Sequence, residues 1–339
     1  MSFQTIDTMN VIHTWLLNAR WLALPQSALP AILAVCMASR SEGFTLWLGL
    51  LAIVGVMAGH LGMNLFDDYF DYKVRESGYR DTLNRKGFRA RISKCDYLTS
   101  GQATLRQLLA ACIIFGAIAL SIGVVIWYFR GNFILWVAIV TAIVGVSYSG
   151  PPMQLSYRGL GEVIIGIVFG PLLMTGVYYS ACGQWDNSVL FVSIPVGMLV
   201  MNIVYSHAIM DYEPDKEVGK MTLAVLLKKP TRMLYVHSLL ITFSYLIIIY
   251  GIVVDHLSPY YLLCLLTLPT ALYQHHLMAL FVEQPDRKFT PKWWLGPMGN
   301  WEAYEKAGIE WFMIRWLSAR NLLMLFCLTI IIACFIPYS

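Results

Sequence analysis

Hydrophobic runs of about 18 residues or more recur along the whole chain, and they limit what it can fold into. Each run is long enough to cross a bilayer as a helix. Of the 339 residues, 58% are hydrophobic and 13% are charged, whereas soluble domains carry about 25% charged residues. No stretch has the composition of a separate soluble module. The sequence therefore predicts one all-α integral membrane domain over residues 1–339.

Nine of these runs are candidate membrane helices. They cover residues 17–38, 45–66, 105–128, 133–149, 161–181, 189–210, 234–254, 260–282 and 321–337. Two similar acidic motifs, described next, follow the second and sixth runs. Four spans therefore separate the motifs, which predicts a parallel repeat with halves at about 14–150 and 151–282, followed by a final helix at 321–337.

Basic residues set the predicted orientation. With nine spans, 22 of the 24 Lys and Arg residues fall on the side of the N-terminus, and only Arg40 and Arg130 fall on the other side. Basic loops stay in the cytoplasm. We therefore expect the N-terminus and the large loops to be cytoplasmic and the C-terminus to lie outside, in a membrane such as the bacterial inner membrane.

The stretch NLFDDYFDYK, residues 64–73, ends the second hydrophobic run. It contains Asp67, Asp68 and Asp71, which a helix places one turn apart or less. Carboxylates at the C-terminal end of a helix oppose the helix dipole at a cost of about 0.3–1 kcal/mol each. A single Asp here would simply mark the membrane boundary. Three in five positions favour a functional site instead.

A second acidic motif follows the sixth run in HAIMDYEPDKEVGKMTLAV, residues 207–225. Asp211 and Asp215 repeat the spacing of Asp67 and Asp71, at the same predicted membrane face. Clustered carboxylates without His or Cys ligands suit Mg²⁺, which completes its shell with water and substrate phosphates. The five Asp residues thus predict a Mg²⁺-assisted diphosphate site. An allylic diphosphate held there would ionise to a carbocation, and a cavity in the bilayer would accommodate its isoprenoid tail.

With these motifs the sequence resembles the UbiA superfamily of intramembrane prenyltransferases over nearly its whole length. NLFDDYFDYK is similar to the family motif NDxxDxxxD, and the second motif is similar to DxxxD followed by GKxTL. YSGPPMQLSYRGLGE (148–162) and NARWLALPQSALPAILA (18–34) resemble the branch that prenylates 1,4-dihydroxy-2-naphthoate. The resemblance implies about nine membrane helices around a central cavity, capped on the cytoplasmic side by short loop helices.

The chain departs from the family pattern at several positions. Asp67 stands where the family has Asn, although Asn64 lies one turn earlier, and Arg75 stands where the family has its last Asp. Residues 207–210 replace the NNxR that usually precedes Asp211 in the naphthoate branch. The Trp-rich segment 285–320 is longer than expected between the last two spans and suits an interfacial helix.

The resemblance also assigns expected roles. The metal ligands would be Asp67, Asp68, Asp71, Asp211 and Asp215, with Asp71, Asp211 and Lys220 as the catalytic residues. Asn64, Tyr148, Arg158 and Lys220 would bind substrate. Lys220 would hold a phosphate, and Arg158 a phosphate or an acceptor carboxylate. The basic residues between Lys73 and Lys94 fit topology and contact with anionic lipid, and some of them could cap the cavity.

We therefore expect a Mg²⁺-dependent enzyme that transfers a polyprenyl group from an isoprenyl diphosphate to an aromatic acceptor. The first choice of acceptor is 1,4-dihydroxy-2-naphthoate, as in menaquinone biosynthesis. Another quinone precursor, a haem or chlorophyll precursor, or a glycerol-based lipid stays open. A divalent-cation or lipid transporter is the alternative from another class, but a transporter should have polar groups along a path through the bilayer. No motif indicates nucleic-acid binding.

Overall fold

The computed structural model describes residues 8–74, 95–217, 219–284 and 287–337. These ranges form helices and connecting loops, and no β-strand occurs within them. The α-helices are α1 (Thr8–Asn18), α2 (Pro25–Ala38), α3 (Leu46–Val74), α4 (Asp96–Thr99), α5 (Leu105–Arg130), α6 (Asn132–Ser149), α7 (Gly161–Ile167), α8 (Leu173–Cys182), α9 (Ser188–Met210), α10 (Tyr212–Glu217), α11 (Leu223–Leu227), α12 (Pro230–Val253), α13 (Leu268–Glu283), α14 (Trp301–Lys306) and α15 (Glu310–Phe335). Single turns of 3₁₀-helix cover Trp21–Ala23, Leu155–Tyr157 and Trp293–Leu295, a longer 3₁₀ segment covers Pro259–Thr267, and a π-helical turn covers Val168–Leu172.

Seven helical segments of the described residues are long and apolar enough to cross a membrane. They are α3, α5, α6, the continuous segment Gly161–Cys182, α9, α12 and α15. This confirms the predicted polytopic all-α fold, although two of the nine predicted spans have a different form. The last span also begins earlier than expected, at Glu310, so the end of the predicted interfacial segment 285–320 belongs to a membrane helix.

The prediction of one continuous α-helix over 17–38 is wrong. Arg20 has a left-handed backbone with φ 60°, and α2 begins only at Pro25, which lacks the N–H that an earlier turn would need. The prediction over 260–282 is wrong in the same way. Its first part is the 3₁₀ segment Pro259–Thr267, and α13 starts beside Pro269.

Helices α9 and α15 form the centre of the structure. Most residues of α9 are buried, and α15 buries residues along most of its length. Helices α5 and α6 lie at the periphery and bury few residues. The exposed Ile, Leu and Val side chains of α5 and α6 suit contact with lipid rather than water.

Small residues let the broken segment Gly161–Cys182 approach α9 closely. Gly166 and Gly170 are spaced as in GxxxG, a motif of close helix packing in membranes. A Cβ on Gly170 would lie 2.5 Å from the Cα of Gly197, so the two backbones are in contact. The π-helical turn, which contains Pro171, lies at this contact. Because α9 leads directly into the second acidic motif, this contact helps to position the site.

Candidate active site

A cavity of about 1720 Å³ opens within the helical bundle. Its polar wall includes the side chains of the first acidic motif on α3, together with Tyr148, His207 and Lys220. Apolar residues such as Met63, Ile122 and Phe169 line other parts of it. The cavity therefore combines a charged wall with a large apolar volume, which suits an amphiphile with an anionic head and a hydrocarbon tail.

Asp68 is the most enclosed carboxylate of the first motif, with 2% of its surface exposed. Arg20 Nη2 lies 3.1 Å from its Oδ1, and the Tyr97 hydroxyl donates to its Oδ2 at 3.0 Å. Burial raises the pKa of Tyr97 above its ordinary value, and the charge of Asp68 adds to the effect. The Tyr97 phenol therefore stays protonated and donates to the carboxylate. Asp68 thus joins α3 to the segment before α2 and to α4.

Asp67 and Asp71 lie on the cavity wall, one turn apart. Ser149 Oγ at the end of α6 donates to Asp67 Oδ1, and the Tyr157 hydroxyl donates to Asp71 Oδ1. Arg20 Nη2 also lies 3.9 Å from Asp67 Oδ2. Unlike Asp68, both carboxylates are partly exposed. The sequence-predicted pair therefore presents oxygen ligands to the cavity.

Asn64 serves two surfaces. Its Nδ2 donates to Ala19 O at 3.0 Å, and Arg20 Nη2 donates to the Asn64 carbonyl at 2.7 Å. It also lies on the cavity wall. The amide predicted to bind substrate therefore also fastens the chain before α2 against α3.

The carboxylates of the second motif are more deeply buried than Asp67 and Asp71. Asp211 and Asp215 are 2% and 3% exposed, and His207 Nε2 lies 3.0 Å from Asp211 Oδ2. The backbone N–H of Lys220 donates to Asp215 O at 2.8 Å. The Asp211 and Asp215 side chains do not line the cavity, whereas His207 and Lys220 do. Lys220 Nζ lies 5.8 Å from the centre of the Tyr157 ring, so Tyr157 contacts residues of both motifs.

The loop after Ser149 holds the second motif in place. Arg158 forms an isolated parallel β-bridge with Met221, and buried Glu162 accepts a hydrogen bond from Leu223 N at 3.1 Å through its Oε1. The Arg158 side chain does not line the cavity; its Nη2 donates to Pro152 O at 3.0 Å. Arg158 therefore contacts the second motif through its backbone, while Tyr148 lies on the cavity wall as expected.

The donor chemistry of the first motif fits Mg²⁺. Asp67 and Asp71 offer hard oxygen ligands one turn apart, and Mg²⁺ typically takes one or two protein carboxylates and fills its shell with water and phosphates. Within the described residues, no group of three or more His, Cys, Asp or Glu side chains is arranged to hold an ion. A carboxylate pair completed by substrate phosphates needs no such group. Arg75 and residues 76–94, with the basic residues predicted to cap the cavity, lie outside the described ranges.

Residues 27–296 match the sequence profile of the UbiA prenyltransferase family. The chain belongs to this family. As a UbiA protein it is an enzyme that transfers prenyl groups. The 1,4-dihydroxy-2-naphthoate octaprenyltransferase of Mycobacterium tuberculosis is 27% identical over 222 residues, which are 65% of this chain and 72% of that protein.

Solved structures share the fold of this chain. A digeranylgeranylglyceryl phosphate synthase has a TM-score of 0.60 at 18% identity, covering 94% of this chain and 98% of its own. A UbiA homolog from Archaeoglobus fulgidus bound to GPP and Mg²⁺ has a TM-score of 0.60 at 17% identity, covering 91% of this chain and 99% of its own. The likeness confirms the expected all-α fold, while the predicted number of nine membrane helices stays a prediction.

Sequence reasoning did not assign site roles to several residues that contact the carboxylates. Arg20, Tyr97, Ser149 and Tyr157 reach the first motif from three other parts of the chain. In the sequence, Arg20 was used only as one of the basic residues that predict membrane orientation. Tyr97, Ser149 and Tyr157 have no spacing that marks them as site residues. Their pairing depends on how distant segments pack, so only the resemblance in the segments around Arg20 and Tyr157 could have drawn attention to them.

Proposed function

We propose that this UbiA enzyme transfers a polyprenyl group from a polyprenyl diphosphate to an aromatic acceptor, with 1,4-dihydroxy-2-naphthoate as the first choice. The observation that carries the proposal is the cavity itself, where Asp67, Asp71 and Lys220 share a wall with an extensive apolar surface. This arrangement matches the anionic head and the hydrocarbon tail of a prenyl diphosphate.

The chain's own residues bind and orient the donor. Lys220 contributes a positive charge for a phosphate oxygen, and Tyr157 keeps Asp71 and Lys220 close together. Asp67 and Asp71 on the cavity wall would hold Mg²⁺, which would neutralise the diphosphate charge when bound. Asp211 and Asp215, behind that wall, hold His207 and the Lys220 backbone in place. The apolar walls exclude water, which would otherwise capture the carbocation.

The transfer breaks one bond and forms another. The allylic C–O bond breaks, and its electron pair leaves with diphosphate. An electron-rich ring carbon of the acceptor then bonds to the allylic carbon. The ring regains aromaticity by losing a proton to a diphosphate oxygen or to water, or by losing CO₂ where a carboxylate occupies the attacked carbon. The ring faces of residues such as Phe169 and Phe312 can stabilise the cation before capture.

The relatives support the choice of acceptor without deciding it. The M. tuberculosis protein is named for 1,4-dihydroxy-2-naphthoate. The synthase whose structure has a TM-score of 0.60 is named for a glyceryl phosphate product. An acceptor panel should therefore include naphthoates, benzoates and glycerol-based lipids.

The test is diphosphate release and prenylated product formation by the purified protein, with and without Mg²⁺. We expect activity to require Mg²⁺ and to fall to background in Asp71→Ala and Asp211→Ala. Glu213→Ala is the matched control, because Glu213 is exposed two residues from Asp211 and should keep activity. Full turnover in either Asp variant would refute the assignment. Metal-dependent flux into liposomes without diphosphate release would instead favour a transporter.

A further inference from the structure

Arg320 is a charged residue inside an apolar membrane helix. It lies on α15, in a segment whose composition suits a membrane span, and its side chain lines the cavity. Near the start of this helix, Phe312 packs edge-to-face on His207 with ring centres 5.0 Å apart, beside the second motif. Eight residues further along a helix is about 12 Å. Arg320 therefore lies about 12 Å along α15 from the contact beside the second motif.

The charge of Arg320 has no acidic partner among the described residues. Their ion pairs join Arg20 to Asp67 and Asp68, His207 to Asp211, and Lys288 to Glu310. The contacts of Arg320 are neutral: its Nη2 donates to Asn321 Oδ1 at 3.0 Å and to Pro297 O at 3.1 Å. An arginine keeps its charge in proteins, and an intramembrane charge that faces a cavity points to a functional site.

The structure builds a support around this guanidinium. Asn321 is 1% exposed, and its Nδ2 donates to the carbonyls of Leu295 and Pro297, both at 2.9 Å. Gly296 between them has φ +84°, and a Cβ there would lie 3.2 Å from Asn321 Nδ2. Asn321 thus fixes both the 295–297 turn and the Nε and Nη2 atoms of Arg320. The guanidinium is held in place on the cavity wall.

The remaining face of Arg320 matches a carboxylate. No described residue accepts a hydrogen bond from its Nη1, and a planar guanidinium suits a planar carboxylate. Trp316 of the same helix also lines the cavity, and the guanidinium lies 5.7 Å from the Trp316 ring centre. A charged fork beside an aromatic ring fits an aromatic acid better than an aliphatic anion.

We propose that Arg320 binds the carboxylate of the aromatic acceptor, so that the enzyme selects ring acids over neutral rings of the same size. The inference rests on the proposed function, because that function identifies the bound ring acid as the acceptor. The diphosphate belongs instead with Lys220 and the Asp residues, because Arg320 is separated from the second motif along α15. Arg320 is a binding and specificity residue and takes no part in breaking the C–O bond.

The experiment compares wild type with Arg320→Gln and Arg320→Lys, using 1,4-dihydroxy-2-naphthoate and its carboxylate-free analogue 1,4-naphthalenediol. Ligand binding is followed by tryptophan fluorescence in nanodiscs without diphosphate, and transfer is followed by product formation. We expect Arg320→Gln to weaken naphthoate binding about 10- to 100-fold, as for a lost hydrogen bond between charged groups. Binding of the diol and KM for the prenyl diphosphate should not change. Arg320→Lys should fall in between.

Arg232→Gln is the control, because it removes the same charge from an exposed residue outside the cavity lining. Equal weakening of both ring ligands, an increase in KM for the diphosphate, or unchanged naphthoate binding in Arg320→Gln would overturn the inference. Failure of wild type to bind any aromatic acid would do the same. The two proposals can be contradicted separately. Arg320-dependent binding without prenyl transfer would contradict only the proposed function. Normal transfer to naphthoate by Arg320→Gln would contradict only the role of Arg320. If Arg320→Gln does not fold, the Lys variant supplies the same comparison.

Discussion

Three carboxylates within one turn and a half of α3 have different surroundings. All three line the cavity, but Asp67 and Asp71 are partly exposed, whereas Asp68 is buried against Arg20 and Tyr97. The Arg20 cation and the Tyr97 hydroxyl satisfy this enclosed carboxylate. We therefore expect Asp68 to contribute mainly to stability, and Asp67 and Asp71 to contribute mainly to metal and diphosphate binding.

Replacing Tyr97 with Phe tests the contribution of the Asp68 contacts to stability. The change leaves Asp68 Oδ2 without the hydroxyl that donates at 3.0 Å, which should lower the free energy of unfolding by about 1–3 kcal/mol. Thermal unfolding in detergent measures the loss. Tyr235→Phe is the control, because Tyr235 is 65% exposed and should change little. Equal stability of the two variants would contradict the role given to Tyr97.

Replacing Asp67 with Asn tests the expected role of Asp67 in metal binding. The change removes a charged ligand from the cavity wall and keeps the side-chain volume. We expect the Mg²⁺ concentration for half-maximal activity to rise at least about 10-fold, the lower end of what the loss of an outer-shell metal partner costs. Asp68→Asn should lower the unfolding temperature more than Asp67→Asn does, and it should shift this Mg²⁺ concentration less. The reverse pattern in the two variants would reassign the metal ligands.

At the scale of elements, the contact between Gly161–Cys182 and α9 is the most sensitive to side-chain size. Gly170→Ala should weaken it, because the added Cβ meets the backbone of α9 at 2.5 Å and backbone cannot move aside. We expect a loss of about 1–3 kcal/mol, as for an overpacked core, measured as a lower unfolding temperature. Gly123→Ala on α5 is the control, since a Cβ there meets nothing within 4 Å. A stable Gly170→Ala would show that the helices can separate freely.

The elements also show where sequence reasoning holds. The span boundaries of α9 and α5 follow the hydrophobic runs closely, because lipid requires a continuous apolar helix there. The helices over 17–38 and 260–282 were mispredicted because proline and a left-handed residue override hydropathy. The early start of α15 was missed because Glu310 and Arg315 interrupt the hydrophobic run, although Arg315 is fully buried in the structure.

At the scale of the molecule, orientation stays a prediction from the basic residues. We expect an N-terminal GFP fusion to fluoresce, because cytoplasmic GFP folds. A full-length C-terminal fusion to alkaline phosphatase should be active, because that enzyme needs the oxidising side of a bacterial inner membrane. An inactive phosphatase together with a fluorescent C-terminal GFP fusion would place the C-terminus in the cytoplasm and remove the argument for nine spans. The division into two four-helix halves likewise stays a prediction.

The sequence by itself determined the membrane class, the all-α fold and the two acidic motifs, because hydropathy and carboxylate spacing are local properties of the chain. It also gave Lys220 and Tyr148 their places near the cavity. Only the tertiary structure decided that Asp68 pairs with Arg20, that Tyr157 contacts residues of both motifs, and that Arg320 faces the cavity. These contacts join segments far apart in the sequence, and they form only when the helices pack.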